Sequence, residues 1–321
     1  MDEDTKEITH LVLEIFNTYT YNLDYVTIPS DTLVTLSNEL YERLGAVNEE
    51  VPQIISMQEL GRYFPAAAMY DYGIIILEDL LGIDISYYTV LDQEVYNTVF
   101  TSEDRTVVYE EQSESGETGI KTMQAKVQVF NETFKQKLME TADGGSLEDY
   151  IKEWYKKLNS NLPERGKLSY VPDYQNVLTD YIYYHSIYGE ENIDGGFTIS
   201  AEAGSRLLKE LENNKEAYAV PQEEALLASA ADSKELVIRI LNGSGITGLA
   251  AAYQSRLAEE GYTVSGIGNY QNSSLAATKI IVKEEGTGTD LLQYFNDAII
   301  ETGETTEGCD IEIILGEADR L

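Results

Sequence analysis

The stretch with the clearest potential for ligand chemistry is glycine-rich. Residues 235–252 read ELVIRILNGSGITGLAAA, a hydrophobic run that stops at an Asn-Gly pair and resumes as a run of small residues. The pattern predicts a strand, a tight turn and a helix, with the Asn-Gly pair supplying the positive φ that the turn requires. Backbone amides at the start of such a helix can bind an anion such as a phosphate. The candidate ligand-binding residues are therefore Asn242, Gly243, Ser244, Gly245 and Gly248.

The same turn has two other interpretations. Residues 243–248 satisfy G-x-G-x-x-G, the dinucleotide-binding fingerprint. That site also needs a carboxylate about 20 residues further on, and residues 262–268, YTVSGIG, contain none. We therefore predict no nucleotide cofactor. The remaining interpretation is a structural turn, whose glycines allow left-handed backbone angles and close packing of helix on strand.

Groups suited to metal binding or nucleophilic catalysis are scarce. The chain has one cysteine, Cys309, which has no intramolecular disulfide partner, and two histidines, His10 and His185. They do not form the spacings of the common zinc motifs. His10 lies in a strand-like run and His185 in the tyrosine-rich segment 181–185, so both are interpreted as packed side chains. The sequence predicts no metal site.

Charge excludes one class of partner. The 321 residues include 57 Asp plus Glu and 22 Lys plus Arg, which gives a formal net charge of −35. Nucleic-acid binding requires basic patches that contact the phosphate backbone, so we predict no nucleic-acid partner. The 43% hydrophobic residues suffice for packed cores, and the length predicts about two domains.

Periodicity predicts an α/β protein of the α+β type. Residues 8–16 and 23–28 read as the two strands of a hairpin, 73–83 as a helix closed by Gly82, and 87–91 as a strand. Residues 121–160 read as two helices broken at 144–145, with Val127, Val129 and Phe130 on an apolar stripe. The 24 tyrosines could line a groove for sugar or lipid, or be ordinary half-buried strand residues.

The C-terminal residues 234–321 are predicted to form a compact βαββαβ domain. They resemble the LytR C-terminal domain of bacterial cell-envelope proteins through LVIRILNGSGITGLAAAYQSRLAEEGYTV, then KIIV, then IEIILGEAD at the end. For that family the glycine-rich turn is a feature of the fold, and the resemblance carries over no chemistry.

The N-terminal part resembles the catalytic domain of the LytR-CpsA-Psr family. The matching segments are ITHLVLEIFNTYTYNLDYVTIPSDTLV and ILEDLLGIDISYYTVLD. Members of that family transfer polyprenyl-phosphate-linked glycopolymers onto the cell wall. The resemblance implies a mixed sheet with flanking helices, an extracytoplasmic location, and an N-terminal membrane anchor ahead of Met1. It also implies an elongated apolar pocket between the sheet and the helices predicted at 66–81 and 123–140, in which family members bury a polyprenyl tail.

This chain departs from the family at its catalytic residues. Family members carry Arg-x-Asp-Thr at the first strand, Ser-Ile-Pro-Arg-Asp-Thr after the second, and a later Ala-Leu-x-Tyr-x-Arg-x-Arg segment. Here Thr9-His10-Leu11 stands at the first position, and Ser30 replaces the second arginine while Asp31 and Thr32 remain. Transfer from a pyrophosphate needs arginines to neutralise charge, so no catalytic residue is predicted. Asp31, together with Thr32, is either a relic of a site, with Asp31 as a former metal ligand, or a turn-forming residue after Pro29; we favour the turn.

We therefore predict a degenerate LytR-CpsA-Psr-like domain at 1–212, a linker at 213–233 and a LytR C-terminal domain at 234–321. The expected function is non-catalytic: binding of a wall glycopolymer or polyprenyl lipid, or regulation of envelope assembly through other envelope proteins. One alternative is an active, magnesium-dependent transferase with relocated arginines, for which Arg43, Arg62 and Arg105 are the candidates. The other is a wall-binding or protein-interaction module. No cofactor is expected unless the protein is active.

Overall fold

The computed structural model describes residues 7–65, 68–112, 118–192, 195–221, 233–270, 275–283, 287–296 and 298–320. Their contacts separate two compact units. The first comprises residues 1–104 and 126–219, and the second comprises residues 105–125 and 220–321. Both are α/β with mixed sheets and flanking helices, as the sequence predicts.

The strands in chain order are β1 (Leu11–Asn17), β2 (Asn22–Ile28), β3 (Leu33–Thr35), β4 (Ile54–Ser56), β5 (Thr89–Val90), β6 (Phe100–Gln112), β7 (Thr118–Phe130), β8 (Asn159–Ser160), β9 (Ile182–Ser186), β10 (Gly189–Glu191), β11 (Phe197–Ile199), β12 (Val237–Asn242), β13 (Thr263–Asn269), β14 (Lys279–Val282), β15 (Ile299–Thr302) and β16 (Ile311–Leu315).

The α-helices are α1 (Asn38–Gly45), α2 (Leu60–Tyr63), α3 (Met69–Leu81), α4 (Gln93–Val99), α5 (Glu132–Asp143), α6 (Leu147–Trp154), α7 (Glu164–Ser169), α8 (Val171–Tyr174), α9 (Ala201–Asn213) and α10 (Leu249–Glu259). Short 3-10 helices cover Met57–Glu59, Thr179–Tyr181, Ser233–Glu235, Thr289–Tyr294 and Glu317–Asp319.

A three-stranded sheet of order β1-β2-β9 lies at the centre of the first unit. The predicted hairpin is confirmed: β1 and β2 pair antiparallel from Leu11 opposite Ile28 to Asn17 opposite Asn22. The central strand β2 is buried along its whole length, because both faces of the sheet are covered. Strand β9 joins it in parallel, and this pairing brings His185 beside Val26.

An aromatic layer covers one face of this sheet. Tyr25 packs against Phe130 with ring centroids 4.8 Å apart, and Phe130 meets Phe134 at 4.9 Å. Phe134 in turn contacts Trp154 of α6 at 5.5 Å. The predicted apolar pocket between the sheet and the helices stays a prediction.

Helix α3 ends as the sequence predicts. Gly82 adopts the left-handed conformation with φ 64°, and its amide donates to the Glu78 carbonyl over 2.9 Å. Glycine is the usual residue at this position because it carries no Cβ. The helix begins at Met69, four residues before the predicted start.

The prediction of a helix from residue 121 is wrong. Residues 118–130 form β7, and only α5 and α6 that follow are helical. Val127, Val129 and Phe130 are buried as expected, but on a strand. A short apolar run with β-branched residues is compatible with the period of a helix and with that of a strand. Here the strand forms because β7 hydrogen-bonds to β6 on one side and to β15 on the other.

The second unit contains a seven-stranded sheet of order β13-β12-β16-β14-β15-β7-β6. Segment 105–125 belongs to this unit. The predicted domains at 1–212 and 234–321 are each continuous in sequence and do not include such an exchange; their boundaries stay a prediction. The predicted second helix of the βαββαβ pattern is a 3-10 helix, Thr289–Tyr294, and Ile299–Thr302 forms an additional strand. Between the sheet and α10, Tyr253 stacks on Phe295 at 5.1 Å.

Candidate functional site

The glycine-rich turn between β12 and α10 is held by its own side chains. Asn242 Oδ1 accepts hydrogen bonds from the amide of Ser244 at 3.2 Å and from its Oγ at 2.8 Å. Asn242 Nδ2 donates to the Ile246 carbonyl at 2.8 Å, and the Ile246 amide donates to Ser244 Oγ at 3.1 Å. The Gly243 amide donates to the Leu315 carbonyl at 3.0 Å. Three amides that would face an anion are therefore already bonded within the protein.

The positive φ angles lie elsewhere than predicted. Gly245 has φ 73° and Gly248, which precedes α10, has φ 84°, whereas Gly243 is outside the left-handed region. The Asn-Gly pair is thus not the source of the turn. Gly243 is required for another reason: a Cβ there would lie 3.0 Å from Ile314 Cγ2, Leu275 Cδ1 and the Leu315 carbonyl oxygen.

This geometry favours the structural interpretation of the turn. Anion binding by Asn242, Gly243, Ser244, Gly245 and Gly248 stays a hypothesis. The local pattern of residues predicts the position of the turn between strand and helix correctly, because its spacing is short. It could not show that the Gly243 amide is bonded to Leu315 or that a side chain at position 243 would meet Leu275, since both residues are distant in the chain.

Asp31 and Thr32 lie at the end of β2, after Pro29. The Asp31 side chain is exposed, and its carbonyl accepts the Phe197 amide at 3.4 Å. Thr32 is fully buried. Its Oγ1 donates to the Pro29 carbonyl at 2.6 Å, and its own carbonyl accepts the Met57 amide at 2.9 Å. The two residues close a turn and join β2 to neighbouring segments.

The three arginines considered as replacements lie in three different elements of the chain. Arg43 lies in the last turn of α1 and Arg62 lies over the Tyr63 ring at 5.6 Å. Arg105 is in the segment that belongs to the second unit. Among the residues that the structure describes, no group of three or more His, Cys, Asp or Glu side chains is placed to hold a metal ion.

His10 is packed, as its strand-like surroundings predict. Its ring stacks on Tyr96 with centroids 4.3 Å apart, and Nδ1 lies 3.1 Å from Thr9 Oγ1. Burial lowers the pKa of His10, because a charged imidazole is poorly solvated there. A neutral His10 imidazole is therefore favoured, stacked on Tyr96 of α4.

A buried pair of titratable residues was missed by sequence reasoning. His185 Nε2 lies 2.9 Å from Asp24 Oδ1, and both residues are 1% exposed. Burial raises the pKa of Asp24, against the opposing influence of His185. The interpretation of His185 as a core position is confirmed. Nothing in the sequence links it to Asp24, 161 positions away; the link depends on the parallel pairing of β2 and β9.

A second polar group lies at the edge of the aromatic layer. Lys167 Nζ bonds to Glu14 Oε1 at 2.7 Å and to Tyr174 Oη at 2.6 Å, and Tyr25 donates to Glu14 Oε2 at 3.2 Å. Burial raises the pKa of Glu14, but the Lys167 charge and these hydrogen bonds outweigh it, so the net pKa is lowered. Glu14 therefore remains ionised and neutralises Lys167.

Comparison with known proteins identifies the C-terminal region. Residues 235–318 match the family described as LytR cell envelope-related transcriptional attenuator. None of the curated proteins matches the chain. In the described part of the chain, no helix combines the length and apolarity needed to cross a membrane.

Several solved structures are similar to part of this chain. TagV of Bacillus subtilis is 12% identical, with 64% of this chain and 90% of that chain covered and a TM-score of 0.41. A transcriptional regulator from Enterococcus faecalis is 10% identical, with 68% and 87% covered and a TM-score of 0.35. The soluble domain of a conserved hypothetical secreted protein from Mycobacterium marinum is 21% identical, with 30% and 70% covered and a TM-score of 0.24. From the family match, residues 235–318 are a LytR C-terminal domain, as the sequence predicts.

Proposed function

We propose that this protein is a non-catalytic component of the bacterial cell envelope that binds a wall glycopolymer or its polyprenyl-linked precursor and thereby regulates envelope assembly. The LytR C-terminal domain supports the envelope assignment, since its family is described as cell envelope-related. An extracytoplasmic location with an N-terminal membrane anchor is part of the proposal, as the resemblance to LytR-CpsA-Psr proteins implies.

The observation that carries the non-catalytic assignment is the turn at Asp31. Thr32 is fully buried and its hydroxyl is bonded to Pro29, so it cannot reach a substrate. Ser30 stands where the resemblance implies a phosphate-binding arginine. A phosphoryl-type transition state needs several positioned cations, and the loss of one donor typically costs about a hundredfold in rate or more. A lone exposed carboxylate would repel a pyrophosphate.

Electrostatics beside the aromatic layer support the same assignment. The Lys167 ammonium is paired with Glu14 over 2.7 Å, so it carries little free positive charge toward a ligand. The chain as a whole has a formal charge of −35. Both features disfavour stabilisation of the negative charge that develops during transfer from a pyrophosphate.

The experiment is a paired assay on the full chain. It is incubated with magnesium, a polyprenyl-pyrophosphate-linked glycopolymer and peptidoglycan as the acceptor, and separately sedimented with purified cell-wall sacculi. We expect no transfer and no release of polyprenyl monophosphate, together with co-sedimentation. An intact LytR-CpsA-Psr enzyme serves as the positive control for transfer.

Asp31→Ala is the matched variant. Because Asp31 has no catalytic role in this proposal, the variant should co-sediment as the unmodified protein does. Turnover that matches the intact enzyme and disappears in Asp31→Ala would establish the alternative, an active transferase. Absence of co-sedimentation would contradict the binding function.

A further inference from the structure

A cluster of tyrosines lies at the β1–β2 turn of the first unit. It comprises Tyr19, Tyr21, Tyr181, Tyr183 and Tyr218, and is referred to below as the tyrosine cluster. The rings of Tyr181 and Tyr218 are 4.7 Å apart, those of Tyr21 and Tyr218 5.9 Å, and those of Tyr181 and Tyr183 6.4 Å. Tyr19 lies in the same turn and is 70% exposed.

Two members of the tyrosine cluster have unusual backbone angles. Tyr21 has φ 56° and Tyr218 has φ 55°, and among the described residues they are the two non-glycine residues with positive φ. The left-handed region is unfavourable for a bulky side chain, and glycine or asparagine normally takes it. Such strain persists where the surrounding structure enforces it, and it marks functional positions. The rings of Tyr21 and Tyr218 therefore occupy positions whose φ angle would by itself favour glycine.

Hydrogen bonds fix both strained residues. The Tyr218 amide donates to the Thr20 carbonyl at 2.8 Å, and the Tyr218 hydroxyl donates to the Asn176 carbonyl at 3.0 Å. Asn22 Nδ2 donates to the Ala219 carbonyl at 2.7 Å. Segment 218–219 is therefore tied to the hairpin turn from both sides, and the relative position of the two rings is set by backbone contacts.

The same place contains a buried acceptor without a donor. Asn22 is 5% exposed, and its Oδ1 has no hydrogen-bond partner within the protein. Asn22 follows Tyr21, and its Nδ2 holds Ala219, which follows Tyr218, so this oxygen belongs to the side chain that joins the two strained segments. A buried acceptor of this kind requires a donor. The hydroxyl group of a ligand would supply one.

We propose that the tyrosine cluster is a binding site for an uncharged saccharide, an inference that rests on the proposed envelope function and names its ligand class. A pyranose ring presents an apolar C–H face, which stacks on tyrosine rings, and hydroxyl donors, which suit Asn22 Oδ1. An acyl chain offers no donor. The formal charge of −35 repels an anionic polymer, so the ligand is a neutral stretch of glycan.

The test measures binding by calorimetry on the full chain. The neutral probe is chitotetraose, a tetramer of N-acetylglucosamine, and the anionic probe is tetragalacturonate. We expect the unmodified protein to bind chitotetraose and to bind tetragalacturonate more weakly. Tyr21→Gly and Tyr218→Gly should each weaken chitotetraose binding about tenfold, since one stacked ring is lost.

Glycine is the informative substitution because it removes the ring and also relieves the backbone strain. Trp154 fluorescence during urea unfolding checks that the first unit stays folded. If either glycine variant unfolds, Tyr21→Asn or Tyr218→Asn replaces it, since asparagine tolerates φ near 55°. Tyr87→Ala is the matched control: Tyr87 is 47% exposed and lies outside the tyrosine cluster, so its removal should leave binding unchanged.

Three outcomes would overturn the inference: no chitotetraose binding at millimolar concentration, equal binding of the two probes, or folded cluster variants that bind like the unmodified protein. Sacculus co-sedimentation separates this inference from the proposed function. Cluster variants that sediment with sacculi as strongly as the unmodified protein would leave the proposed function standing and refute the tyrosine site. Failure of the unmodified protein to sediment, with cluster-dependent chitotetraose binding intact, would refute the proposed function and leave the saccharide site standing.

Discussion

Two turns in this chain begin with an asparagine that organises them in similar ways. In the β1–β2 turn, Asn17 Oδ1 accepts the amides of Tyr19 at 3.0 Å and Thr20 at 3.3 Å. In the β12–α10 turn, Asn242 Oδ1 accepts the Ser244 amide at 3.2 Å. Both asparagines also donate hydrogen bonds through Nδ2. That of Asn17 donates to the carbonyls of Leu211, Glu212 and Asn214 at the end of α9.

The turns differ in which residues take the left-handed conformation. Gly245 and Gly248 take it beside Asn242, without strain, whereas Tyr21 takes it beside Asn17 and Tyr218 takes it in the segment bonded to that turn. The β12–α10 turn therefore uses glycines where its backbone needs positive φ. The β1–β2 turn instead keeps tyrosines at strained backbone positions, where their rings form the tyrosine cluster, and this is why we place ligand binding there.

The largest expected effect comes from Gly243→Val. The new side chain meets Ile314, Leu275 and the Leu315 backbone at 3.0 Å, and overpacking of this kind costs about 3 kcal/mol. The reactivity of Cys309, the single cysteine, which is 5% exposed in the second unit, reports unfolding there in denaturant. Gly266→Val is the control, because a Cβ at Gly266 meets nothing within 4 Å. Equal stability of the two variants would show that the glycine turn does not need close packing.

Asn17→Ala should come next. It removes donors to three carbonyls at the end of α9 and an acceptor for two amides, in a residue that is 5% exposed. Buried groups left unpaired cost about 2 kcal/mol in total here. Urea unfolding followed by Trp154 fluorescence measures the loss in the first unit. Asn242→Ala leaves fewer hydrogen-bonding groups unpaired and should lower the free energy of unfolding by about 1 kcal/mol, measured through Cys309 reactivity. A larger loss for Asn242→Ala than for Asn17→Ala would contradict the comparison of the hydrogen bonds in the two turns.

A smaller loss is expected from Gly248→Ala. A Cβ at this position meets nothing within 4 Å, but φ is 84°, so the penalty is conformational alone and amounts to about 1 kcal/mol. The same Cys309 assay measures it. An unchanged free energy of unfolding would mean that residues with a Cβ adopt positive φ here without cost. The argument that Tyr21 is strained would then fail.

The smallest change should follow Tyr21→Gly and Tyr218→Gly. Loss of ring contacts destabilises the first unit while relief of positive φ stabilises it, and the two contributions should cancel to within about 1 kcal/mol. Trp154 fluorescence in urea gives the difference. A loss well beyond that range would show that the tyrosines are principally core residues, which would undermine the strain argument.

The sequence predictions that proved correct depend on patterns of neighbouring residues. The β1–β2 hairpin follows from alternation, the end of α3 from Gly82, and the β12–α10 unit from a strand run, a glycine turn and a small-residue helix. The helix expected from residue 121 failed because its outcome depends on partners far away in the chain: Lys121 pairs with Ile299. The predicted second helix of the βαββαβ domain is likewise replaced by a 3-10 helix, Thr289–Tyr294, and a strand, Ile299–Thr302, because Ile300 pairs with Ile120.

The candidate sites show the same limit. Sequence patterns located the glycine turn and the Asp31 turn, since both are short and contiguous. They could not show that Thr32 is bonded to Pro29 or that Gly243 is needed for packing. Nor could they show that Tyr21 and Tyr218 share a strained backbone, because no residue preference signals a tyrosine with positive φ.

The pairing of β7 with β15 has a consequence for how the chain folds. Ile120 must find Ile300 across about 180 intervening residues, a long-range contact of the kind that slows folding. During synthesis β7 is made well before β15, so the edge that pairs with β15 has no partner until residue 299 has emerged. A truncation before residue 299 would leave that edge open and prone to aggregate. Completion of the seven-stranded sheet therefore depends on two strands, β6 and β7, that are made long before the strand that covers them.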